Sequence, residues 1–568
     1  MPQGWNINAT TDFITFYEVP AAASAIQVKE FGAAGRGGTN IWAVGAWSPR
    51  FGYPQEVEFF NDRLWFTSTP TDSQTIWASS IGDYYDFGRS SPIVDSDSVS
   101  FAINSRQVNT VKELVPLDSL LLLTTGGEYK TTGGQDDVVT PSTIGVKNQG
   151  NSGIGDVPAK LIGESAVFVQ QEGQKVRDLR YTFEKDGFRG NDISVWADHL
   201  FEGHEVQAIE HWKAPWGVLW FIREDGVRVG CTYMPEQEVI GWHWHDTDGR
   251  YLDACALPGT KESECYFLVE RFIDGEVVQY IEQQAATRFE EEADMFFVDG
   301  GLVYDGRNLT STTLTITTAA GWTENDELTF TASSPIFTGA TDVGDGFEVT
   351  RDITAPGEDG VLVTTTYTVR LLIDEYVSGT TVRGHSVGDV PEALRAVPTA
   401  SWTFRRDTID NLWHLEGKSV NVLQDAAVAG PYVVTDGKVL LDYPGGVVQT
   451  GLPYVCEVET LELNSAGGES MRDQMKLAYK VSILVLASRG VFAGGVNEQK
   501  YPIPERRFEN YGQPPFLKTG VFDCNIPAGW GVDAGRVRIS STDPLPMEIL
   551  SITTRAVASE GQAGGARP

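Results

Sequence analysis

The densest group of side chains able to hold a metal or move a proton is His243-Trp244-His245-Asp246. On an extended strand residues 243 and 245 share one face, so two imidazoles and a turn carboxylate would stand close enough to bind a cation. No other Cys or His at metal-ligand spacing accompanies them, and the interleaved Trp242 and Trp244 mark a packed aromatic strand. The group therefore reads as strand packing. Asp246-Thr247-Asp248-Gly249 and Asp95-Ser96-Asp97 open like calcium loops but lack the ligand at position 12, so they read as hairpin turns. The glycine string at 32–38 has neither the Lys-Ser/Thr of a phosphate loop nor the strand-to-helix setting of a dinucleotide site. Gly-x-Ser-x-Gly and HExxH motifs do not occur. Two carboxylates suffice to cleave a glycoside, but 78 Asp plus Glu leave the spacing unable to select a pair. The sequence thus assigns no catalytic, cofactor or metal residues.

The elements that would position such groups read as strands. The chain of 568 residues exceeds what one core serves, so two to four domains are expected. A 41% hydrophobic content supports genuine cores, and 60 Gly with 27 Pro fit many tight turns. Almost nowhere does an apolar stripe of helical period last three turns. The fold class is all-β.

Tyr53–Phe87 shows the theme, with β-branched and aromatic runs around a Thr/Pro/Asp/Ser turn cluster. The theme recurs at Leu114–Thr132, Ala166–Tyr181, Trp216–Tyr233 and Cys265–Glu282, spaced as the blades of a β-propeller are. Asp225-Gly226 predicts a type I′ hairpin turn. Four regions follow: a lead-in over 1–50 with strands at 14–19 and 24–29, a propeller-like domain over 51–285, an acidic β-domain over 286–400 and a C-terminal β-domain over 401–568. Sandwich- or barrel-like sheets are expected in the last two. In the fourth, 413–422 and 476–488 read as strands, 432–439 as a strand-turn-strand piece around Asp436-Gly437, and 471–474 as a helical turn.

Residues 309–392 hold three Arg (Arg351, Arg370, Arg383), no Lys and 13 Asp plus Glu. The whole chain carries −35, a surface that repels phosphate backbones and excludes tight, sequence-reading nucleic-acid binding. Charge alone fits two readings, plain solubility and the wall of a conduit that DNA passes without being gripped. In the conduit reading the lining candidates are Glu324, Asp326, Glu327, Asp342, Asp345 and Glu348; the alternative is a merely solvated β-domain. Five cysteines (Cys231, Cys255, Cys265, Cys456, Cys524) are too scattered for a disulfide framework and read mostly as buried thiols of a chain folded in the cytoplasm. The longest apolar run, near Val481–Ala487, is far short of a membrane span, and no signal peptide is evident.

Several phrases together carry a resemblance: RLWF…IWAS…GDYYDF at 63–87, SRQVNTVKELVPL at 105–117 running into 122–127, WHLEGKSVNV at 413–422 with Tyr432-Val433 and Asp436-Gly437, GLPY at 451–454 and DPLPMEIL at 543–550. Their order over about 450 residues resembles the tail tubular protein B, or nozzle, family of short-tailed bacteriophages. The resemblance implies a structural virion protein rather than an enzyme. It implies a homohexamer forming the distal tail tube, partnered by the tail adaptor and by fibres or spikes and passing genomic double-stranded DNA. The lead-in is shorter than the platform segment that the family leads one to expect. In such a ring Arg506 and Arg507 would face a neighbour's carboxylates. The alternative is a tail protein that binds or degrades host-surface glycan.

Overall fold

The computed structural model describes residues 46–104, 108–134, 138–273, 275–286, 288–356, 361–463, 474–496, 499–506, 514–526, 529, 531 and 535–558, together with a strand pair Asn6–Ile7 and Ile14–Thr15. The expected strand at 24–29, the glycine string at 32–38, residues 471–473 and Arg507 lie outside them. The described elements are antiparallel strands joined by turns and short 3-10 segments, so the chain is all-β. It divides into two compact units. One runs to Arg271 and takes back Gln279–Gln284; the other holds Phe272–Val278 and the chain from Ala285.

Unit 1 contains five small meander sheets in propeller-like succession. Blade 1 has strands Glu56–Phe60, Arg63–Thr67, Thr75–Ala78 and Val99–Ala102; blade 2 has Val111–Pro116, Leu120–Thr124, Gly127–Thr132 and Gly145–Gly150. Blade 3 runs from Lys160–Ile162 through Ser165–Val169 and Val176–Thr182 to Gly187–Asp192, and blade 4 from Val206–Trp212 through Val218–Arg223 and Arg228–Met234 to Val239–His245. Blade 5 has three strands, Arg250–Leu257, Glu264–Ile273 and Glu276–Gln283.

The second strand of each inner blade explains its unbroken apolar spelling. A sheet packed on both faces needs apolar residues at every position, not at alternate ones. In Leu120–Thr124, Leu120 and Leu122 join a core with Trp65, Ile76 and Val99 of blade 1, while Leu121 and Leu123 join Ala166 and Phe168 of blade 3. The same division recurs one blade on: Val167 and Val169 pack with Leu219 and Phe221 of blade 4. Val218, Trp220 and Ile222 then turn to Tyr251 and Phe267 of blade 5. Each blade is therefore glue between its neighbours.

Hairpin geometry corrects one turn expectation. At 225–226 a three-residue loop closes between Arg223 and Val227, and Gly226 alone is left-handed (φ +88°). Asp225 is held out of a type I′ turn because its carboxylate accepts from the Val227 N–H and from the Arg223 guanidinium. The two-residue turn with both centres left-handed, as type I′ demands, forms at Asp436 (φ 53°) and Gly437 (φ 67°), where Thr435 and Lys438 exchange both backbone bonds. A Cβ at 437 would lie 2.5 Å from the Trp413 ring, so glycine is required for space as well as for φ.

Unit 2 contains a seven-stranded sheet, in spatial order Leu314–Thr318, Leu328–Ala332, Thr381–Val387, Leu362–Ser378, Gly346–Pro356, Trp402–Ile409 and Val439–Gly445. Strands on both sides of the expected 400/401 boundary thus share one sheet. A four-stranded sheet likewise joins Asp299–Asp305 to Val447–Leu452. Trp413–Leu415, expected to be extended, forms a 3-10 turn before the strand Ser419–Gln424. Near the C-terminus the 13-residue strand Lys476–Ser488 pairs with Lys518–Asn525 and Glu548–Ala558. Its Val481, Ile483 and Val485 share a core with Ala493, Val537 and Ile539 of a second small sheet, as in a sandwich.

Leu122→Ala and Leu123→Ala, adjacent but in different cores, should each cost about 3 kcal/mol. Hydrogen exchange should show the first variant loosening blade 1 and the second loosening blade 3. Identical exchange patterns from both would refute the two-faced packing.

Candidate functional site

Of the six expected lining residues only Glu348 is on a strand of the seven-stranded sheet of unit 2; Glu324, Asp326 and Glu327 lie between its strands Leu314–Thr318 and Leu328–Ala332, and Asp342 and Asp345 just before Gly346–Pro356. Asp342 is buried and accepts from the Thr338 N–H (2.6 Å) and hydroxyl (2.7 Å). Asp345 is buried and accepts from the Asp407 N–H (3.0 Å); burial pushes its carboxyl up to about 7. Neither presents a charge to solvent. Glu348 accepts from Arg370 (2.8 Å) and Arg405 (3.3 Å), which neutralise it. Half-buried Asp326 closes its own turn by accepting from the Thr323 N–H and hydroxyl. Glu324 and Glu327 stand exposed, the latter 3.9 Å from Arg383. Beside them, Asp374 meets His385 at 2.7 Å and Glu375 meets Arg383 at 3.1 Å. The six therefore do not form one charged surface: two are interior, two are locally satisfied and two face water.

In unit 1 the strand Val239–His245 brings His243 and His245 to one face, with Nδ1 of the first 2.9 Å from Nε2 of the second. The imidazoles are thus given to each other. They pack edge-on to Trp220, whose indole N–H is buried without a hydrogen-bond acceptor. Space for the His243 ring comes from Gly230 on the neighbouring strand, where a Cβ would sit 2.1 Å from Cε1. The charge in this cluster is Arg228. Its guanidinium lies 4.7, 4.8 and 4.4 Å from the centroids of Trp220, Tyr251 and Phe267 and donates to Gln284 Oε1 at 2.9 Å. A cation held by three ring faces is a stable arrangement, and it opposes a second positive charge beside it. Loss of water, then Arg228, push His243 down to about 4 and hold His245 well below the ordinary imidazole range. Both rings are neutral at pH 7, and the group is the aromatic strand packing that the spelling suggested.

The calcium-like loops are closed by the chain itself. The Asp97 carboxylate accepts from the Ser90 and Val94 N–H groups, and the Asp95 and Asp97 carbonyls accept from buried Arg63. The Asp248 carbonyl accepts from Arg271. Among the described residues, no three His, Cys, Asp or Glu side chains are grouped to hold a metal. Cys231, Cys265 and Cys524 are buried free thiols, Cys456 is half-buried and Cys255 is exposed. Among the described residues no helix is long and apolar enough to cross a membrane.

One charged cluster escaped the sequence reading. Glu113, on the first strand of blade 2, accepts from the Ala159 N–H (2.7 Å) just before blade 3, and Lys160 there meets Glu210 of blade 4 at 3.0 Å. Burial, reinforced by Glu56 and Glu58 on the first strand of blade 1, pushes the Glu113 carboxyl up to about 7. The first strands of successive blades are thus tied by polar groups. The available signal was Lys112-Glu113 interrupting the branched run VKELV; its meeting with residues 56, 58 and 160 depends on blade order.

No family model matches the chain, and no curated protein matches it. Similar solved structures include a luciferin-regenerating enzyme (11% identity over 38% of this chain and 83% of that one, TM-score 0.18). Raptor of Chaetomium thermophilum gives 9% identity over 60% and 29%, TM-score 0.26. The Bombyx mori GH32 β-fructofuranosidase BmSUC1 gives 11% identity over 70% and 90%, TM-score 0.18. Likenesses this remote do not bear on function.

Two pH responses of opposite sign follow. Unfolded imidazole takes up a proton near 6.5 but folded His243 only near 4, so stability is lost as pH falls through that window. Denaturation titrations should find His243→Gln gaining about 2 kcal/mol on wild type between pH 7 and 4.5. For Glu113 the folded carboxyl holds its proton to about 7 against 4.5 unfolded, so stability falls as pH rises between these values. Glu113→Gln should match wild type near pH 4 and exceed it by about 3 kcal/mol at pH 8. A pH-independent difference in either pair would refute the corresponding assignment.

Proposed function

We propose that this chain is a structural subunit of the tail of a short-tailed phage, six copies of which form the distal tube through which DNA leaves. The observation that carries the reading is a net charge of −35 on an all-β chain, in whose most acidic segment the three arginines are drawn onto Glu348, Glu375 and the Ala393 carbonyl. A tube wall that offered lysine or arginine to phosphate would gain a salt-dependent grip at every contact and stall ejection. Exposed Glu324 and Glu327 are the lining candidates; Asp342, Asp345 and Glu348 act within the sheet. In this reading the ring seats on the tail adaptor, its outer surface docks fibres or spikes, and it acts in the virion after assembly in the host cytoplasm. Ring closure requires two different surfaces on each subunit.

One observation favours a second reading, a tail protein acting on host glycan. Glu113 has the raised carboxyl that a general acid needs, with Glu56, Glu58 and Lys160 in its electrostatic field.

Mass photometry and negative-stain imaging of the purified chain, alone and with tail extract, test the first reading. Six-fold rings with a central bore are expected. A chain that stays monomeric and never joins tail particles would sink it. Release of reducing sugar from host polysaccharide, abolished by Glu113→Gln, would establish the second instead.

A further inference from the structure

The seven-stranded sheet of unit 2 has two central strands that outrun their neighbours. Gly346–Pro356 and Leu362–Ser378 pair without a register shift from Gly346↔Leu372 out to Pro356↔Leu362. The outer neighbour of the first, Trp402–Ile409, accompanies it only from Gly346 to Val349, apart from one bond from the Thr350 N–H to the Ser401 carbonyl. The outer neighbour of the second, Thr381–Val387, stops at Arg370. Beyond these points the two strands form a ribbon that continues for about seven residue pairs, roughly 20 Å at strand rise, with no flanking strand among the described residues.

The ribbon's faces are chemically distinct. Directly paired residues share a face, so Arg351/Tyr367, Ile353/Thr365 and Ala355/Val363 extend the face that begins with the core residues Phe347, Val349, Val369 and Leu371. The core stripe thus runs on past the end of the core, with Val363 51% exposed. The opposite face is a hydroxyl ladder that gives way to Pro356/Leu362 only at its last pair: Thr350 meets Thr368 at 3.2 Å, Thr354 meets Thr364 at 2.8 Å, and Thr366 donates to Asp352 at 2.7 Å. A bare two-stranded ribbon is marginal in water, and edges of this length invite pairing with another chain.

We propose that this ribbon is an exchange arm that lays its Ile353/Ala355/Val363 face on a second copy of this chain. Charge singles out that occupant. Leaving aside residues 357–360, which carry two acids, the sequence from Thr350 to Thr368 holds one Arg and one Asp. Copies that each carry −35 repel across most surfaces, and a neutral, apolar arm joins them without setting carboxylate against carboxylate. The inference rests on the tube reading only for the number of copies in the assembly; the arm contact itself requires two.

The test uses the full chain. Sedimentation should show wild type self-associating. Ile353→Asp with Val363→Asp should weaken association at least tenfold, whereas Thr354→Ala with Thr364→Ala on the opposite face should change it less than twofold. Matching melting curves for the three proteins exclude a folding defect. A photo-crosslinking residue at 363 should capture a peptide of the same sequence from a differently tagged copy. Wild-type monomer at every soluble concentration, unchanged association in the aspartate variant, or no crosslink between copies would overturn the arm. If rings persist in the aspartate variant, the arm fails and the tube stands. If the arm crosslinks copies in assemblies that lack a bore, the tube fails and the arm stands.

Discussion

Backbone carbonyls left over where small sheets end must find donors, and in this chain arginine supplies them. Buried Arg63 donates to the carbonyls of Ser79, Asp95 and Asp97, and so ties the long loop after the third strand of blade 1 back to its second strand. Arg223 reaches the Leu200 carbonyl, Arg250 that of Glu224, Arg351 that of Ala393 and Arg405 that of Pro444. Arg489 bridges the carbonyls of Ala426 and Pro515. An architecture of many short strands has many such ends, and an unpaired buried carbonyl costs roughly 1–3 kcal/mol. The guanidinium suits the task because its fork of donors satisfies several acceptors at once.

This use of arginine shapes the electrostatics. Two of these arginines serve a carboxylate as well, Arg223 binding Asp225 and Arg405 binding Glu348, so one guanidinium joins a carbonyl to an ion pair. In the acidic segment the three arginines serve Glu348, Glu375 and the Ala393 carbonyl, while buried Asp342 and Asp345 are held by backbone N–H groups instead.

Much of the fold was readable because packing on two faces leaves a spelling. Leu120–Leu123 and Val218–Ile222 carry continuous apolar runs, and the structure shows each run dividing its side chains between two neighbouring blades. The strand at 476–488 was equally plain from its alternation. What stayed hidden depends on partners distant in sequence. Asp342 and Asp345 look like any loop acids until the Thr338 and Asp407 amides are seen to claim them. The spacing of His243 and His245 was visible, but the burial that keeps them neutral, and Arg228 which reinforces it from the adjoining strand, depend on how that strand is packed and registered. The 400/401 boundary followed a shift in composition, whereas the sheet follows hydrogen bonds. The two Asp-Gly turns differ because Asp225 has an arginine and an amide to bind and Asp436 does not.

The pairing of Asp299–Asp305 with Val447–Leu452 sets a timetable for synthesis. The earlier strand leaves the ribosome with its hydrogen-bonding edge bare and must wait for a partner almost 150 residues behind it. At about 5–20 residues per second, that delay is roughly ten to thirty seconds. The propeller-like unit, built from consecutive hairpins, has no such wait and can be complete before the second unit begins to close. The nascent second unit is therefore where a holding chaperone would matter most.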